Sequence, residues 1–139
     1  MSMKKFYVGV KALIHDESRG YLLIRRSQDD TNGGYWDLPG GRLDKDESYE
    51  QALAREIAEE LPGSEFLSRG DLLGTHKLAF DVAPDTGLVL LFFDVEASVP
   101  EKVSLSEEHD AVQWVVVKSD IPTENIGDEI ATILNNKLN

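Results

Sequence analysis

The 139-residue chain contains no cysteine, few basic residues and no apolar run long enough to span a membrane. The absence of cysteine excludes disulfides and thiolate chemistry. Lysine and arginine number 14 against 26 aspartates and glutamates, and the net charge of -12 argues against a nucleic-acid polymer or an anionic membrane surface as partner. The apolar segment after Lys4 and Lys5 is interrupted by Lys11, so we expect no signal peptide and a cytoplasmic protein.

The hydrophobic content of 41% is enough for one domain with a single core over residues 1–139. Runs rich in valine, isoleucine, leucine and aromatic residues predict strands at 5–15, 21–26, 71–80, 88–96 and 111–117. The strand at 21–26 is expected to be central, and the run at 88–96 is expected to be buried on both faces. The sequence of residues 64–70 predicts a connector after the second-to-last helix-like segment, with a short extended piece inside it. With a terminal helix at 125–137, this order indicates a layered α/β fold.

A further helix is predicted over residues 48–61, directly after a tight glycine loop at Gly40 and Gly41. Ser48 with Gln51 three residues later fits a capping box, and the acidic residues before the helix suit its dipole. The apolar positions of the helix fall within one arc of about 100°, which predicts the face that packs on the core. These positions are Leu53, Ala54, Ile57 and Leu61.

Three glutamates, Glu56, Glu59 and Glu60, lie on the arc next to this apolar face. Like charges three and four residues apart destabilise a helix by about a few tenths of a kcal/mol unless a cation neutralises them. Mg²⁺ takes oxygen ligands and is usually held by a few carboxylates together with substrate phosphates. The pattern therefore suits a magnesium site, and the alternative for an acidic protein is a solvated acidic face.

The spacing of these residues resembles the signature of the Nudix hydrolases. Gly41 is followed after five residues by Glu47, and seven residues later by the run from Arg55 to Glu60. The preceding residues 36–41, Trp-Asp-Leu-Pro-Gly-Gly, are also typical of the family. One departure is that Pro62 and Gly63 stand where the family has a glycine and an aliphatic residue. The segment 41–63 is thus identified as a Nudix box in which the helix ends differently.

The resemblance implies a mixed β-sheet sandwiched between helices, with the box as a loop-helix-loop. It also implies Mg²⁺, or Mn²⁺, as cofactor, and an Arg55 that pairs with a box glutamate such as Glu47. In addition, members of the family often have a glutamate in the loop before a tryptophan. Glu108 matches this position, and Glu107 is the second candidate. The implied metal ligands are the Gly40 carbonyl, Glu56, Glu59, Glu60 and Glu108, and the proton acceptor is left open among Glu59, Glu60 and Glu108.

Arg25 and Arg26 emerge where the resemblance places a basic residue near the substrate, and a guanidinium group suits bidentate phosphate contact. A solvated strand end is the equally weighted alternative. Gly41 permits close approach of a phosphate. His76 could face the substrate, although a packed or solvated histidine is more common on a strand. Base recognition is expected from stacking and amide contacts, for which the candidates are Tyr7, Asn32, Tyr35 and Phe80.

The resemblance implies hydrolysis of a nucleoside diphosphate linked to a further group. The compact length favours a nucleoside triphosphate, modified or not, that is cleaved to the monophosphate and pyrophosphate. A dinucleoside polyphosphate, ADP-ribose or a nucleotide sugar remains as an alternative substrate. The rival classes are a non-catalytic nucleotide sensor and a plain acidic metal-binding or interaction domain. The protein is expected to be a monomer or a homodimer.

Overall fold

A computed structural model describes residues 4–28 and 32–139 of the chain. Residues 29–31, within the predicted loop at 28–35, lie outside this part. The described part forms seven strands, two α-helices and a short 3₁₀ turn at Lys118–Asp120. The strands are β1 (Lys5–Asp16), β2 (Gly20–Arg26), β3 (Trp36–Asp37), β4 (Gly40–Arg42), β5 (Glu65–Lys77), β6 (Thr86–Ser98) and β7 (His109–Val115), and the helices are α1 (Tyr49–Glu60) and α2 (Asp128–Lys137).

The strands form a mixed sheet, as predicted. Strand β1 pairs in parallel with β6, and β6 pairs antiparallel with β5. Strand β2 is central, as predicted, because it pairs with β7 along its length and with β1 and β3 elsewhere. Strands β1 and β2 pair only beside their connecting turn, and the short strands β3 and β4 pair with β2 and β1 further along. The segment that resembles a Nudix box, residues 41–63, therefore begins on a strand that is hydrogen-bonded to the centre of the sheet.

Helix α1 packs on one face of the sheet through Leu53, Ile57 and the cap residue Leu61, as predicted. The expected contribution of Ala54 is wrong, because Ala54 is half-buried and Ala52 is completely buried. The helix is rotated relative to the predicted apolar arc. As a result Glu60, which was expected on the acidic arc, is also buried.

Helix α2 packs on the opposite face, so the predicted sandwich is confirmed. Ile130, Ile133 and Leu134 of α2 are buried against the sheet, and Trp36 packs against the same cluster as expected for a core residue. The helix begins at Asp128 instead of residue 125, because Asn125 has a positive φ of 57° that is incompatible with a right-handed helix. In the described part, neither helix is long and apolar enough to cross a membrane.

The predicted connector at 64–70 is wrong apart from its short extended piece, because residues 65–70 all belong to the 13-residue strand β5. Its register with β6 shifts at three places, which disturbs the alternation that would mark a strand in the sequence. The predicted burial of the run 88–96 on both faces is confirmed for only part of that run. Phe92, Phe93 and Val95 are buried, whereas residues 88–91 are half-buried.

Candidate active site

A cleft of about 1000 Å³ opens between the C-terminal half of α1, the β5–β6 hairpin and the start of α2. Its α1 side is acidic and its hairpin side is aliphatic. The acidic side is lined by Gly40, Gly41, Glu56, Glu59, Glu60, Glu107 and Glu108, with Lys11, Arg26 and Arg42 as cations. The other side is lined by Leu78, Val82, Leu88 and Leu90, with His76 and Glu129 as ionisable groups.

Arg55 organises the carboxylates of the box. Its Nε and Nη2 donate to the two carboxylate oxygens of Glu47 at 2.7 and 2.8 Å, which confirms the predicted pairing. Its Nη1 donates to Glu56 at 2.8 Å, and Nη2 also donates to the Arg42 carbonyl at 3.1 Å. The hydrogen bonds from Arg55 lower the pKa of Glu47 to about 2, and they raise the pKa of Arg55 itself. Arg55 therefore stays charged and holds the loop and Glu56 in one arrangement.

Glu60 is the most buried carboxylate of the box, with only 4% of its surface exposed. Its Oε1 accepts a hydrogen bond from the Gly40 amide at 3.1 Å, and its Oε2 lies 3.7 Å from Nε2 of His109. Burial raises the pKa of Glu60 to about 9; Lys11 opposes this shift, and a hydrogen bond with the Glu56 carboxylate adds to it. The carboxyl groups of Glu56 and Glu60 are thus in contact at the base of the acidic side of the cleft.

Gly40 and Gly41 lie on the short strand β4 and not in the tight loop that was predicted. Gly40 has a φ of 149°, and an added Cβ would collide with the Val10 carbonyl. A Cβ on Gly41 would lie 2.5 Å from the Glu56 carboxylate. Gly40 therefore requires glycine for its backbone, whereas a side chain at Gly41 would displace the Glu56 carboxylate.

The donor chemistry of this side fits a divalent cation. Within the described ranges no three histidine, aspartate or glutamate side chains are already arranged to hold a metal ion. Glu56 and Glu60 are nevertheless adjacent, and Glu59 is 59% exposed with only a 3.6 Å contact to Arg55, so it can reorient. The available donors are carboxylate and carbonyl oxygens, which suit Mg²⁺ or Mn²⁺. A cation would also offset the cost of burying Glu60 beside Glu56.

The acidic loop before β7 is held at the cleft by backbone contacts. Ser27 donates to the carbonyls of Glu107 and Glu108 at 2.7 and 2.9 Å. The Ser106 amide donates to the Glu60 carbonyl at 3.1 Å, which ties the loop to the end of α1. Glu107 and Glu108 consequently both line the cleft, and the structure does not favour Glu108 over Glu107 as the loop glutamate of the site.

Arg25 and Arg26 are placed differently, at the step of β2 where its pairing with β7 shifts register. Arg26 lines the cleft, and its Nη1 lies 3.3 Å from Oδ2 of Asp37. Arg25 does not line the cleft; its Nε donates to Asp110 at 2.8 Å and its guanidinium lies over the Trp36 ring. Of these two arginines, Arg26 is therefore the one positioned to contact a ligand in the cleft.

Lys11 is a cleft residue that the sequence reasoning missed. It is 8% exposed, and its Nζ donates to Oδ2 of Asp37 at 2.9 Å and to the Leu38 carbonyl at 3.4 Å. Burial alone would raise the pKa of Asp37, but Lys11 and Arg26 bring it below the usual range. A charged residue within the apolar run 6–14 was the available signal, and it was used only to exclude a membrane span. Arg42, which lines the acidic side, was missed as well.

The candidate base-contacting residues are mostly away from the cleft. Asn32 lines it, whereas Tyr35 lines a smaller neighbouring cleft. Tyr7 lies under the Arg42 guanidinium at 4.5 Å from the ring centre, and Phe80 is 64% exposed. His76 does line the cleft, where it pairs with Glu129, a residue that the sequence reasoning did not single out.

Comparisons with known proteins agree with this architecture. A family model described as the NUDIX domain matches residues 5–128. An 8-oxo-dGTP diphosphatase from Proteus vulgaris is 36% identical over 93 residues, which cover 67% of this chain and 78% of that protein. A CTP pyrophosphohydrolase from Escherichia coli (strain K12) is 39% identical over 54 residues, which cover 39% of this chain and 40% of that protein. The crystal structure of a MutT protein from Methanosarcina mazei Go1 has a TM-score of 0.78 at 31% identity and covers 98% of this chain and 95% of that chain.

The family match runs from the start of β1 to the start of α2 and includes the acidic side of the cleft. The similarity in sequence and in fold extends beyond the box to the whole sheet. The chain therefore belongs to the Nudix family and is a Nudix hydrolase of the nucleotide pyrophosphatase class.

Proposed function

We propose that this enzyme uses Mg²⁺, with Mn²⁺ as a substitute, to hydrolyse a nucleoside triphosphate, modified or not, to the monophosphate and pyrophosphate. The observation that carries the proposal is the two-sided cleft. Its acidic side offers oxygen ligands for a metal and three cations for phosphates, and its aliphatic side offers surface for a base. A ligand with a charged end and a flat apolar end suits such a cleft.

In this proposal the metal is held by Glu56, Glu59, Glu60 and the Gly40 carbonyl, with Glu108 as a further ligand from the loop. When bound, the metal lowers the pKa of a water molecule and neutralises phosphate oxygens. Arg55 keeps Glu56 in place through their 2.8 Å hydrogen bond.

Water attacks one of the two phosphorus atoms of the α–β anhydride and the bond from that phosphorus to the bridging oxygen breaks. The bridging oxygen leaves with the other product, and the proton of the water passes to Glu59, Glu60 or Glu108. The cleft cations Arg26 and Arg42 are proposed to contact the substrate phosphates, since both line the same side as the glutamates. Gly41 lets the phosphates approach the backbone, because no side chain stands between β4 and Glu56.

Two similarities support a triphosphate as the substrate. The relatives from Proteus vulgaris and Escherichia coli are, by name, an 8-oxo-dGTP diphosphatase and a CTP pyrophosphohydrolase. Both names refer to nucleoside triphosphates. The alternatives, which are dinucleoside polyphosphates, ADP-ribose, nucleotide sugars and a non-catalytic sensor, are separated by the following experiment.

The test measures pyrophosphate and phosphate release, with and without Mg²⁺, from a panel of nucleoside triphosphates including oxidised ones, dinucleoside polyphosphates, ADP-ribose and nucleotide sugars. We expect metal-dependent pyrophosphate release from the triphosphates. Glu60→Gln should lower kcat by about a hundredfold or more with an unchanged Tm, because it replaces a carboxylate that a bound metal would keep ionised with a neutral amide of the same shape. Glu124→Gln, which removes an exposed carboxylate outside the cleft, serves as the control.

Preferred cleavage of ADP-ribose, a nucleotide sugar or a dinucleoside polyphosphate would replace the triphosphate in the proposal. Binding of nucleotides without turnover of any compound would favour the sensor. Full activity of Glu60→Gln would contradict the assigned metal ligands.

A further inference from the structure

We infer that Asp37 is a positioning residue that holds the guanidinium group of Arg26 in the orientation that contacts the substrate phosphates. The inference rests on the proposed function, because that function places the phosphates beside Arg26. It gives a role in the reaction to Asp37, to which the resemblance assigns none.

Asp37 lies where the sheet opens between β1 and β2. These two strands pair only beside their connecting turn, and the segment 36–42 fills the gap between them further along. Within this segment, Asp37 is opposite Ile24 on β2, and Gly40 is opposite Lys11 on β1. A side chain of the segment can therefore reach residues of both strands.

The carboxylate of Asp37 is held at both of its oxygens. Oδ1 accepts a hydrogen bond from the amide of Leu38 at 2.7 Å, and Leu38 is completely buried. Oδ2 accepts from Nζ of Lys11 at 2.9 Å and from Nη1 of Arg26 at 3.3 Å. The side chain of Asp37 is 16% exposed, so solvent ions screen these contacts only weakly. The carboxylate is therefore a fixed partner for Arg26.

The charges around Asp37 still favour a phosphate. Asp37 stays ionised at neutral pH, because Lys11 and Arg26 bring its pKa below the usual range. One carboxylate between two cations leaves a net positive charge, and all three residues line the cleft. The contact with Asp37 therefore orients Arg26 without cancelling the attraction of this group of residues for an anion.

Arg26 needs such a partner to bind phosphate well. A guanidinium group binds a phosphate most strongly when its planar fork faces the oxygens. The arginine side chain is long and loses rotamer freedom when it is immobilised by a ligand. The contact with Asp37 restricts Arg26 before the substrate arrives, so less freedom is lost on binding. This contribution is made to the substrate and to the transition state alike, and it should appear in KM more than in kcat.

The test is a double-mutant cycle in steady-state kinetics with the best-cleaved triphosphate of the panel at saturating Mg²⁺. An amide cannot accept hydrogen bonds at both of its positions, so Asp37→Asn breaks the arrangement. We expect it to raise KM about tenfold and to change kcat less than about threefold. Arg26→Ala should raise KM at least as much. The combined variant should raise KM no more than Arg26→Ala alone, because Asp37 acts through Arg26.

The matched control is Asp110→Asn, which removes the carboxylate partner of the preceding arginine. Asp110 accepts from Nε of Arg25 at 2.8 Å, and neither residue lines the cleft. This variant should leave KM and kcat unchanged. A Tm measurement accompanies every variant, since Asp37→Asn leaves Lys11 beside a neutral amide. That loss of stability does not depend on Arg26, so it cannot explain a KM effect that vanishes in the combined variant.

If Asp37→Asn does not fold, Arg26→Lys replaces it in the test. A lysine keeps the charge but lacks the planar fork, so KM should rise nearly as much as in Arg26→Ala. An unchanged KM in Asp37→Asn, or in Arg26→Lys, would overturn the inference. It would also be overturned if the effects of Asp37→Asn and Arg26→Ala multiplied, because Asp37 would then be only a brace between β1 and β2.

A wild type that cleaves no triphosphate refutes the proposed function and not the role of Asp37. In that case equilibrium binding of inorganic tripolyphosphate in the presence of Mg²⁺ decides, because this probe carries phosphates without a base. Binding that is about tenfold weaker in Asp37→Asn, with no further loss in the combined variant, supports the role. Equal binding to the wild type and Asp37→Asn, or no binding to the wild type, refutes it.

Discussion

Arg55 connects three parts of the box through one guanidinium group. It bonds Glu47 before the helix, Glu56 on the helix and the Arg42 carbonyl at the end of β4. Its side chain is 29% exposed, so these bonds are partly shielded from water. Five donors in a rigid fork allow this arrangement, and a lysine could not reproduce it.

The Arg55 and Glu47 pair predicts a specific pH dependence of stability. The pKa of Glu47 is about 2 in the folded protein and 4.5 ordinarily, so the folded state favours the ionised form. The stabilisation is fully present above pH 4.5 and is lost as the pH falls towards 2. Urea unfolding of the wild type and Glu47→Gln should therefore show a stability difference at pH 7 that shrinks below pH 4.5.

The matched control for this measurement is Glu101→Gln, an exposed carboxylate outside the box. It should give no pH-dependent difference from the wild type. If the difference in free energy of unfolding between the wild type and Glu47→Gln is the same at pH 3 and pH 7, the ion pair with Arg55 is not its cause.

Whether the role of a site residue can be predicted from the sequence depends on how far along the chain its contact partner lies. The Glu47 and Arg55 pairing is local, eight residues apart, and the box spacing indicated it. The role of Lys11 depends on Asp37, which is 26 residues away and meets it only because β1 and the segment before β4 are neighbours. No local pattern encodes that meeting, so the sequence could not assign Lys11 to the cleft.

The N-terminal cap of helix α1 depends on contacts between residues of its first turn and not on tertiary packing. Ser48 Oγ accepts from the Gln51 amide at 3.1 Å, and Gln51 Oε1 accepts from the Ser48 amide at 2.9 Å. Both halves of the predicted capping box are thus present. The cap satisfies backbone donors at the helix start, whereas the glutamates of the cleft lie two turns further on.

Ser48→Ala should therefore reduce stability without impairing the site. The loss of the cap is expected to cost about 1 kcal/mol in the free energy of unfolding, and kcat should change less than about twofold. Urea unfolding and steady-state kinetics measure both quantities. Ser104→Ala, an exposed serine in the loop after β6, is the control and should change neither. A large fall in kcat at unchanged stability would mean that the cap positions the glutamates directly.

In contrast to helix α1, strand β5 has a length that its local sequence did not predict. Its first half was interpreted as a connector, because a bulged strand lacks regular alternation. Pairing with β6 nevertheless extends it over 13 residues. Long-range hydrogen bonding, which a local pattern does not contain, determined the length of this element.

The charge of the whole molecule opposes the approach of its proposed substrate. The net charge of -12 repels a nucleoside triphosphate, and the cations of the cleft act only at short range. Added salt shortens the screening length from roughly 30 Å at 0.01 M to about 10 Å at 0.1 M. It should therefore weaken the long-range repulsion more than the contacts in the cleft.

We expect kcat/KM to rise a few-fold as ionic strength increases from about 0.01 to 0.1 M at saturating Mg²⁺, with kcat nearly constant. Two salts with different anions, chloride and acetate, separate screening from specific ion binding. A fall in kcat/KM with both salts would show that local attraction by Lys11, Arg26 and Arg42 dominates the encounter.

The sequence by itself determined the α/β class, the boundaries of α1, the capping box and the spacing of the box residues. Each of these depends on contacts within a few residues or on the 3.6-residue period of a helix. The family resemblance followed from the same local spacing, and the comparisons confirmed it.

The tertiary structure alone decided which side chains share the cleft. Helix α1 is oriented so that Glu60 is buried at the Gly40 amide, and the irregular end of β2 places Arg26 in the cleft and Arg25 outside it. The pairing of β5, β6 and β1 brings His76 into the same row as Arg42. These outcomes arise because residues far apart in the chain must pack together and satisfy hydrogen bonds at the same time, which no local pattern specifies.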